Sequence, residues 1–138
     1  MTEKTYTGGC LCGALRYEAR GEPTVTGHCY CGDCRKSSGS GFIGFMGFPA
    51  SAVTFTGEAR QHAATSFRGT PAVRNFCPTC GGLVYGGIAG VDVSHTIYAG
   101  SLDDATEFHP QMAIFARDRP AWALIPEGMA VFETMPGL

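Results

Sequence analysis

Cys29-Tyr30-Cys31-Gly32-Asp33-Cys34 places three thiols within six residues, in the pattern CxCxxC. Two pairs flank it: Cys10-Leu11-Cys12 before, and Cys77-Pro78-Thr79-Cys80 after. The chain's 7 cysteines all fall in these three groups, so none stands alone as a small buried hydrophobe. Such grouping points to metal ligation rather than packing. CxCxxC can wrap one ion locally. CxC and CxxC can close a site only by meeting across the fold.

Counting divides the thiols unevenly. A structural zinc is tetrahedral and closed by four protein ligands, while a catalytic zinc commonly keeps three and an open position. The most economical division puts Cys10, Cys12, Cys77 and Cys80 in a closed structural site. Cys29, Cys31 and Cys34 then form an open, catalytic one, which makes two zinc ions per chain. A disulfide framework is the bland rival. The odd count argues against a complete one, and disulfides are mostly confined to oxidising compartments. An iron–sulfur cluster would want four thiolates. A thioredoxin-like redox pair at Cys77 and Cys80 belongs at a helix start, and Gly81-Gly82 is a poor one.

The chain has 138 residues, which predicts one domain over 1–138. Hydrophobic residues make up 44%, enough for a core in addition to the metal staples. The start, Met1-Thr2-Glu3-Lys4-Thr5-Tyr6, has no apolar run of a signal peptide. No stretch approaches the ~18 apolar residues of a membrane span. A soluble, cytoplasmic protein is expected, with no membrane partner; oligomeric state is not legible. Ten basic and 12 acidic residues give −2, and seven thiolates with two zinc ions lower this to −5. Such a charge has no general attraction for nucleic acid, and no nucleic-acid partner is expected.

Along the chain, Leu11 to Arg20 alternates, with Leu11, Leu15, Tyr17 and Ala19 on one face, and reads as a half-buried strand. Thr24 to His28 is a short strand entering the thiol triplet. Cys34 to Ser38 forms one helical turn that Gly39 stops. Phe42 to Phe48 is a buried strand. Val53 to Thr56 and Ala59 to Phe67 look like a strand pair joined near Gly57. His62 reads as a surface residue. Val73 to Phe76 leads into a zinc knuckle whose glycine allows positive φ. Leu83 to Tyr85, Val91 to Ala99 and Gln111 to Ala116 are strands, and a short one lies at Val131-Phe132. Trp122, the 1 tryptophan, is a core or rim anchor. With no sustained 3.6-residue apolar pattern, the fold class is mainly β.

Together these motifs resemble a known family. Gly9-Cys10-Leu11-Cys12-Gly13 comes with Arg16-Tyr17, and Cys29-x-Cys31-x-x-Cys34-Arg35-Lys36 with Ser38-Gly39. Phe76-Cys77-x-x-Cys80-Gly81, Gly100-Ser101-Leu102-Asp103-Asp104 and Arg119-Pro120-x-Trp122 follow. In this order they resemble the family of the glutathione-dependent formaldehyde-activating enzyme (GFA) and centromere protein V, from about residue 6 to 133. The resemblance implies a zinc-stapled, β-sandwich-like domain of short antiparallel strands with at most short helical turns. It implies the same division of the thiols and a carbon–sulfur lyase activity, the condensation of formaldehyde with glutathione to S-(hydroxymethyl)glutathione. The family often has histidine where Tyr30 stands and where Ala113 stands, and aspartate where Glu127 stands.

Three thiolates on zinc suit a soft fourth ligand such as an incoming thiolate. Arg35, Lys36 and Ser38 are candidate contacts for the carboxylates of a glutathione-like thiol, since a guanidinium suits a carboxylate; solvated surface charge is their plain alternative. Two other readings stay open. In a zinc-dependent hydrolase of a small C–N or C–S substrate, Tyr30 or His28 would move the proton. In a non-catalytic zinc module that binds a protein, His28 could complete the coordination.

Overall fold

A computed structural model describes residues 3–136. Among them are eleven strands, one α-helix and short 3-10 turns, so the fold is mainly β. The strands are β1 Thr5–Gly9, β2 Arg16–Arg20, β3 Val25–Cys29, β4 Ile43–Pro49, β5 Val53–Thr56 and β6 Arg60–Thr65. They continue as β7 Pro71–Phe76, β8 Leu83–Gly86, β9 Ser94–Tyr98, β10 Met112–Ile114 and β11 Ala130–Val131, and the helix α1 is Gly32–Ser38. A three-stranded sheet runs β1-β2-β5, and an eight-stranded sheet runs β11-β10-β3-β4-β9-β8-β7-β6.

Period-two alternation makes a layered packing of these sheets. Tyr17 and Ala19 of β2 and Tyr6 of β1 turn inward with Leu15. They meet Met46 and Phe48 of β4, Ile97 of β9, and Val84 and Tyr85 of β8 in one cluster. Residues between these on the large sheet, such as Phe45 and Tyr98, therefore stand on its other face. Fully burying one such apolar side chain contributes about 1.5–3 kcal/mol, so this cluster is the main store of hydrophobic stabilisation.

Several local expectations are corrected. β5 and β6 do not pair: β5 joins β2 in the small sheet, and β6 pairs β7 at the edge of the large one. Gly57 makes this switch, with φ +92° and so little room that a Cβ would lie 1.9 Å from Ala14 O. The strand expected from Leu11 begins only at Arg16, because Leu11 to Ala14 loop around the thiols and Leu11 is 90% exposed. The strand expected from Val91 begins at Ser94, since the Asp92 carboxylate accepts from Ile88 N at 2.6 Å and closes a turn there. Nor are all pairs antiparallel: β10 runs parallel to β3 and to β11. Trp122 is exposed and lies over Gly41, a rim position and not a core one.

Candidate metal centres and active site

The fold brings Cys10, Cys12, Cys77 and Cys80 together, and separately Cys29, Cys31 and Cys34, with the sulfurs in each group within 4.8 Å of one another. Cys10 to Cys12 and Cys12 to Cys77 measure 3.7 Å between sulfurs. Two thiolates at about 2.3 Å from one tetrahedral zinc would lie about 3.8 Å apart. The donor sets therefore fit metal ions, and both are compatible with zinc.

The four-thiol group is made by two loops. Cys10 and Cys12 leave β1 and turn before β2, held by Cys10 N donating to Leu15 O at 2.9 Å. Cys77 and Cys80 follow β7 in a turn closed by Gly81 N donating to Cys77 O at 2.8 Å, where Gly81 takes φ +76°. Backbone N–H groups point at the sulfurs: Leu15 N to Cys10, Thr79 N to Cys77 and Gly82 N to Cys80, at 3.3 to 3.4 Å. Donors aimed at sulfur favour the thiolate, the form that binds metal. Hydrogen bonding from Leu15 N and the neighbouring thiols outweighs burial at Cys10 and brings its pKa down to about 6.

The three-thiol group is made by one turn. Cys29 ends β3, Cys31 is the N-cap of α1, and Cys34 lies in its first turns. The Cys31 sulfur accepts from Cys34 N at 3.2 Å, replacing the usual oxygen cap, and Gly39 ends the helix as expected. The group sits on apolar side chains, among them Ile114, Phe115, Phe45 and Met112. Hydrogen bonds from Cys29 and Cys34 hold the Cys31 thiol far down, and the same Cys31 contact pushes Cys29 far up. The three sulfurs thus compete for protons, and a divalent cation bound there would favour the thiolate form of all three.

A residue the sequence did not single out completes this centre. Arg74 of β7 donates from a terminal guanidinium nitrogen to Cys34 Sγ at 3.8 Å. Burial works against its charge, but the contact with Cys34 prevails and raises its pKa. Arg74 also lines two spaces. One is a cavity of about 470 Å³, walled by Cys29, Cys34, Phe45, Tyr98 and apolar side chains. The other is a groove of about 540 Å³ shared with Asp33, Lys36, Ser37 and His62. Its signal was its place one strand residue from Asn75 and three from Cys77, on the face away from the core. Spacing alone does not say which cysteine group that face meets.

The other candidates lie as follows. His28 precedes Cys29 in β3, so alternation turns it to the opposite face of the sheet. There it is buried, stacks on Phe42 with centroids 4.0 Å apart, and lines a groove of about 640 Å³ with Ser38, Phe108 and Gly82. Burial lowers its pKa. It is not among the side chains that gather with the three thiols. Tyr30 is fully buried, and its hydroxyl donates to Leu124 O at 2.9 Å and lies 3.2 Å from His28 Nδ1. Ser38 donates to Cys34 O at 2.7 Å and braces the helix. Lys36 is exposed on the groove it shares with Arg74, whereas Arg35 is half-buried with its Nε unpartnered and lines none of these three spaces.

No helix of the described residues is long and apolar enough to cross a membrane. The chain is similar in structure to a Rhodobacter sphaeroides protein solved by crystallography. The TM-score is 0.50 at 18% identity, covering 91% of this chain and 98% of that one, a likeness of fold alone. A search of curated proteins returned no match. The family model described as "Glutathione-dependent formaldehyde-activating enzyme" matches residues 5–118, a span that holds all three cysteine groups. With that match over most of its length, the chain belongs to the glutathione-dependent formaldehyde-activating enzyme family.

Proposed function

We propose that the protein is a zinc-dependent carbon–sulfur lyase that joins a glutathione-type thiol to a carbonyl compound, reversibly, at the centre formed by Cys29, Cys31 and Cys34. The observation that carries this reading is a three-thiol group, with no fourth His, Cys, Asp or Glu gathered to it among the described residues, beside a cavity. Three thiolates suit a catalytic zinc with an open position, and four suit a structural one at Cys10, Cys12, Cys77 and Cys80. A zinc ion there would supply a soft acceptor that keeps a substrate sulfur as thiolate beside the carbonyl it attacks.

The chain's own residues have distinct parts. Cys31 caps α1, so any ion held by the triad is fixed to the start of a helix braced by Ser38. Arg74 offsets the negative charge of three thiolates and faces the groove where Lys36 stands. That pair of cations suits the carboxylates of a glutathione-like peptide, which moves the substrate-binding expectation from Arg35 to Arg74. In the hydrolytic reading His28 and Tyr30 would carry the proton, and both lie away from the triad on the opposite side of the sheet. The lyase reading is therefore preferred.

Titration calorimetry on zinc-loaded protein tests it. Glutathione should bind more tightly than S-methylglutathione, which offers no thiolate. Formaldehyde and glutathione together should yield the S-hydroxymethyl adduct faster than without protein. Equal affinity for the two peptides would remove the thiolate mechanism.

A further inference from the structure

The cavity beneath the triad is unlike the groove beside it. Its walls include Val25, Ile43, Phe45, Ala72, Met112 and Ile114, all apolar, and Cys29 and Cys34. Among the described residues that line it, Arg74 is the one charged side chain outside the thiols. A tripeptide with two carboxylates and an ammonium would meet hydrocarbon on most sides, and burying unpaired charge is costly. The polar groove at Lys36 suits it better. The cavity is also far larger than formaldehyde needs, since about 470 Å³ equals the share of about sixteen waters at about 30 Å³ each.

One polar group in the wall is poised for a ligand. The register pairs Phe45 with Tyr98 and Arg74 with Gly86, which puts Phe45, Tyr98, Gly86 and Arg74 on one face of the large sheet. The Tyr98 hydroxyl reaches across Gly86, where an added Cβ would lie 3.0 Å from it. Ser101 Oγ donates to the Tyr98 backbone carbonyl at 2.7 Å, and no side-chain hydrogen bond among the described residues uses the Tyr98 hydroxyl. The hydroxyl of this half-buried tyrosine, in a largely apolar wall that also holds two of the three thiols, is suited to one oxygen of a bound molecule.

We propose that this cavity takes an apolar carbonyl compound with a hydrocarbon body of several carbons, an aldehyde in the reaction, with its oxygen at the Tyr98 hydroxyl. The inference rests on the lyase reading for its chemistry. The thiolate sulfur bonds to the carbonyl carbon, and the C=O π pair moves to oxygen. The oxygen gains the one proton that the thiol gave up, and the product is a hemithioacetal. Tyr98 donates a hydrogen bond to the oxygen as charge develops on it, in an environment where water is displaced by the substrate's own hydrocarbon.

The test is binding, read apart from turnover. Hexanamide and acetamide carry the carbonyl without its electrophilicity and are titrated calorimetrically into the zinc-loaded protein. Each buried methylene is worth about fourfold in affinity, so hexanamide should bind at least tenfold tighter. Ala72→Leu should fill the cavity and cost hexanamide at least tenfold, and Thr96→Leu does the same from β9 if the first variant loses metal or melts early. Tyr98→Phe should weaken hexanamide several-fold while leaving the ratio between the two amides intact. Affinities for the two amides within twofold, or hexanamide binding unchanged in both filled variants, overturns the inference. In a parallel assay with glutathione, hexanal should be condensed with a higher kcat/KM than formaldehyde. Turnover of formaldehyde without preference for hexanal overturns the inference and leaves the lyase reading standing. Selective hexanamide binding with no condensation of any aldehyde removes the lyase reading alone, and the apolar carbonyl site stands.

Discussion

The four-thiol group draws its sulfurs from two loops far apart in the chain, one before β2 and one after β7. The three-thiol group draws all of its sulfurs from the end of β3 and the first turns of α1. An ion in the first would join the β1–β2 turn of the small sheet to the turn after β7 of the large one, so its binding energy would also be folding energy. An ion in the second only decorates a turn that already has a capped helix and apolar support. Three backbone N–H donors point at the first group's sulfurs, while the second has one, from Cys34 N to Cys31, together with a cation, Arg74, and a cavity. On the function proposed above, the difference is that between a staple and a working site.

The sharpest way to break this comparison is to remove one ligand from each group. Cys77 is buried, and its sulfur lies 3.7 Å from Cys12. Cys77→Ser should abolish soluble expression or lower Tm by more than about 10 °C, since structural zinc contributes roughly 10–16 kcal/mol in small zinc domains. Wild-type Tm and metal content in this variant would end the staple reading. Cys31→Ser should lose one metal equivalent and all condensation activity, yet melt within about 5 °C of wild type, because one side chain at a helix cap costs about 0.5–2 kcal/mol. Global unfolding of this variant, followed by circular dichroism, would erase the contrast.

Smaller changes sharpen it. Arg74→Leu should weaken glutathione by about 1–3 kcal/mol, the usual worth of a charge-assisted contact. Arg35→Ala should change it far less, because Arg35 lines neither the cavity nor the groove. The reverse ranking by calorimetry would return the carboxylate contact to Arg35. The smallest effect concerns Arg16 and Asp103, which tie β2 to the turn after β9 with contacts of 2.8 and 2.5 Å. The Arg16 guanidinium holds the Asp103 carboxyl at about 2, against an ordinary 3.8. The native state thus binds this proton less readily than the unfolded one. The stability it gives is full above about pH 4 and is lost as pH falls toward 2. Both side chains are well exposed, so the contribution stays below about 1 kcal/mol. Arg16→Gln should flatten the acid limb of a Tm–pH curve by that small amount, and an effect that persists at pH 2 would exclude ionic pairing as its cause.

Much of this protein is determined by sequence alone. Seven cysteines in three groups fixed which thiols can share an ion, because CxC, CxxC and CxCxxC are short enough to constrain the backbone directly. The mainly β class followed from alternation, as at Tyr17 and Ala19, and the end of α1 at Gly39 followed from cap chemistry. Tertiary structure decided the rest. Leu11 and Val91 continue an apolar alternation but lie outside the strands, since a thiol-bearing loop and an Asp92 turn override a period that carries no information about its own limits. β5 and β6 are neighbours in sequence yet join different sheets, because the pairing of a strand is settled by long-range hydrogen bonds and not by the residues between. Arg74 meets the triad only because the order β4-β9-β8-β7 folds its outward face toward α1, and His28 misses it because one residue along a strand reverses the face. Local spacing could name the thiols that gather; only the sheet could choose which side chains share their cavity.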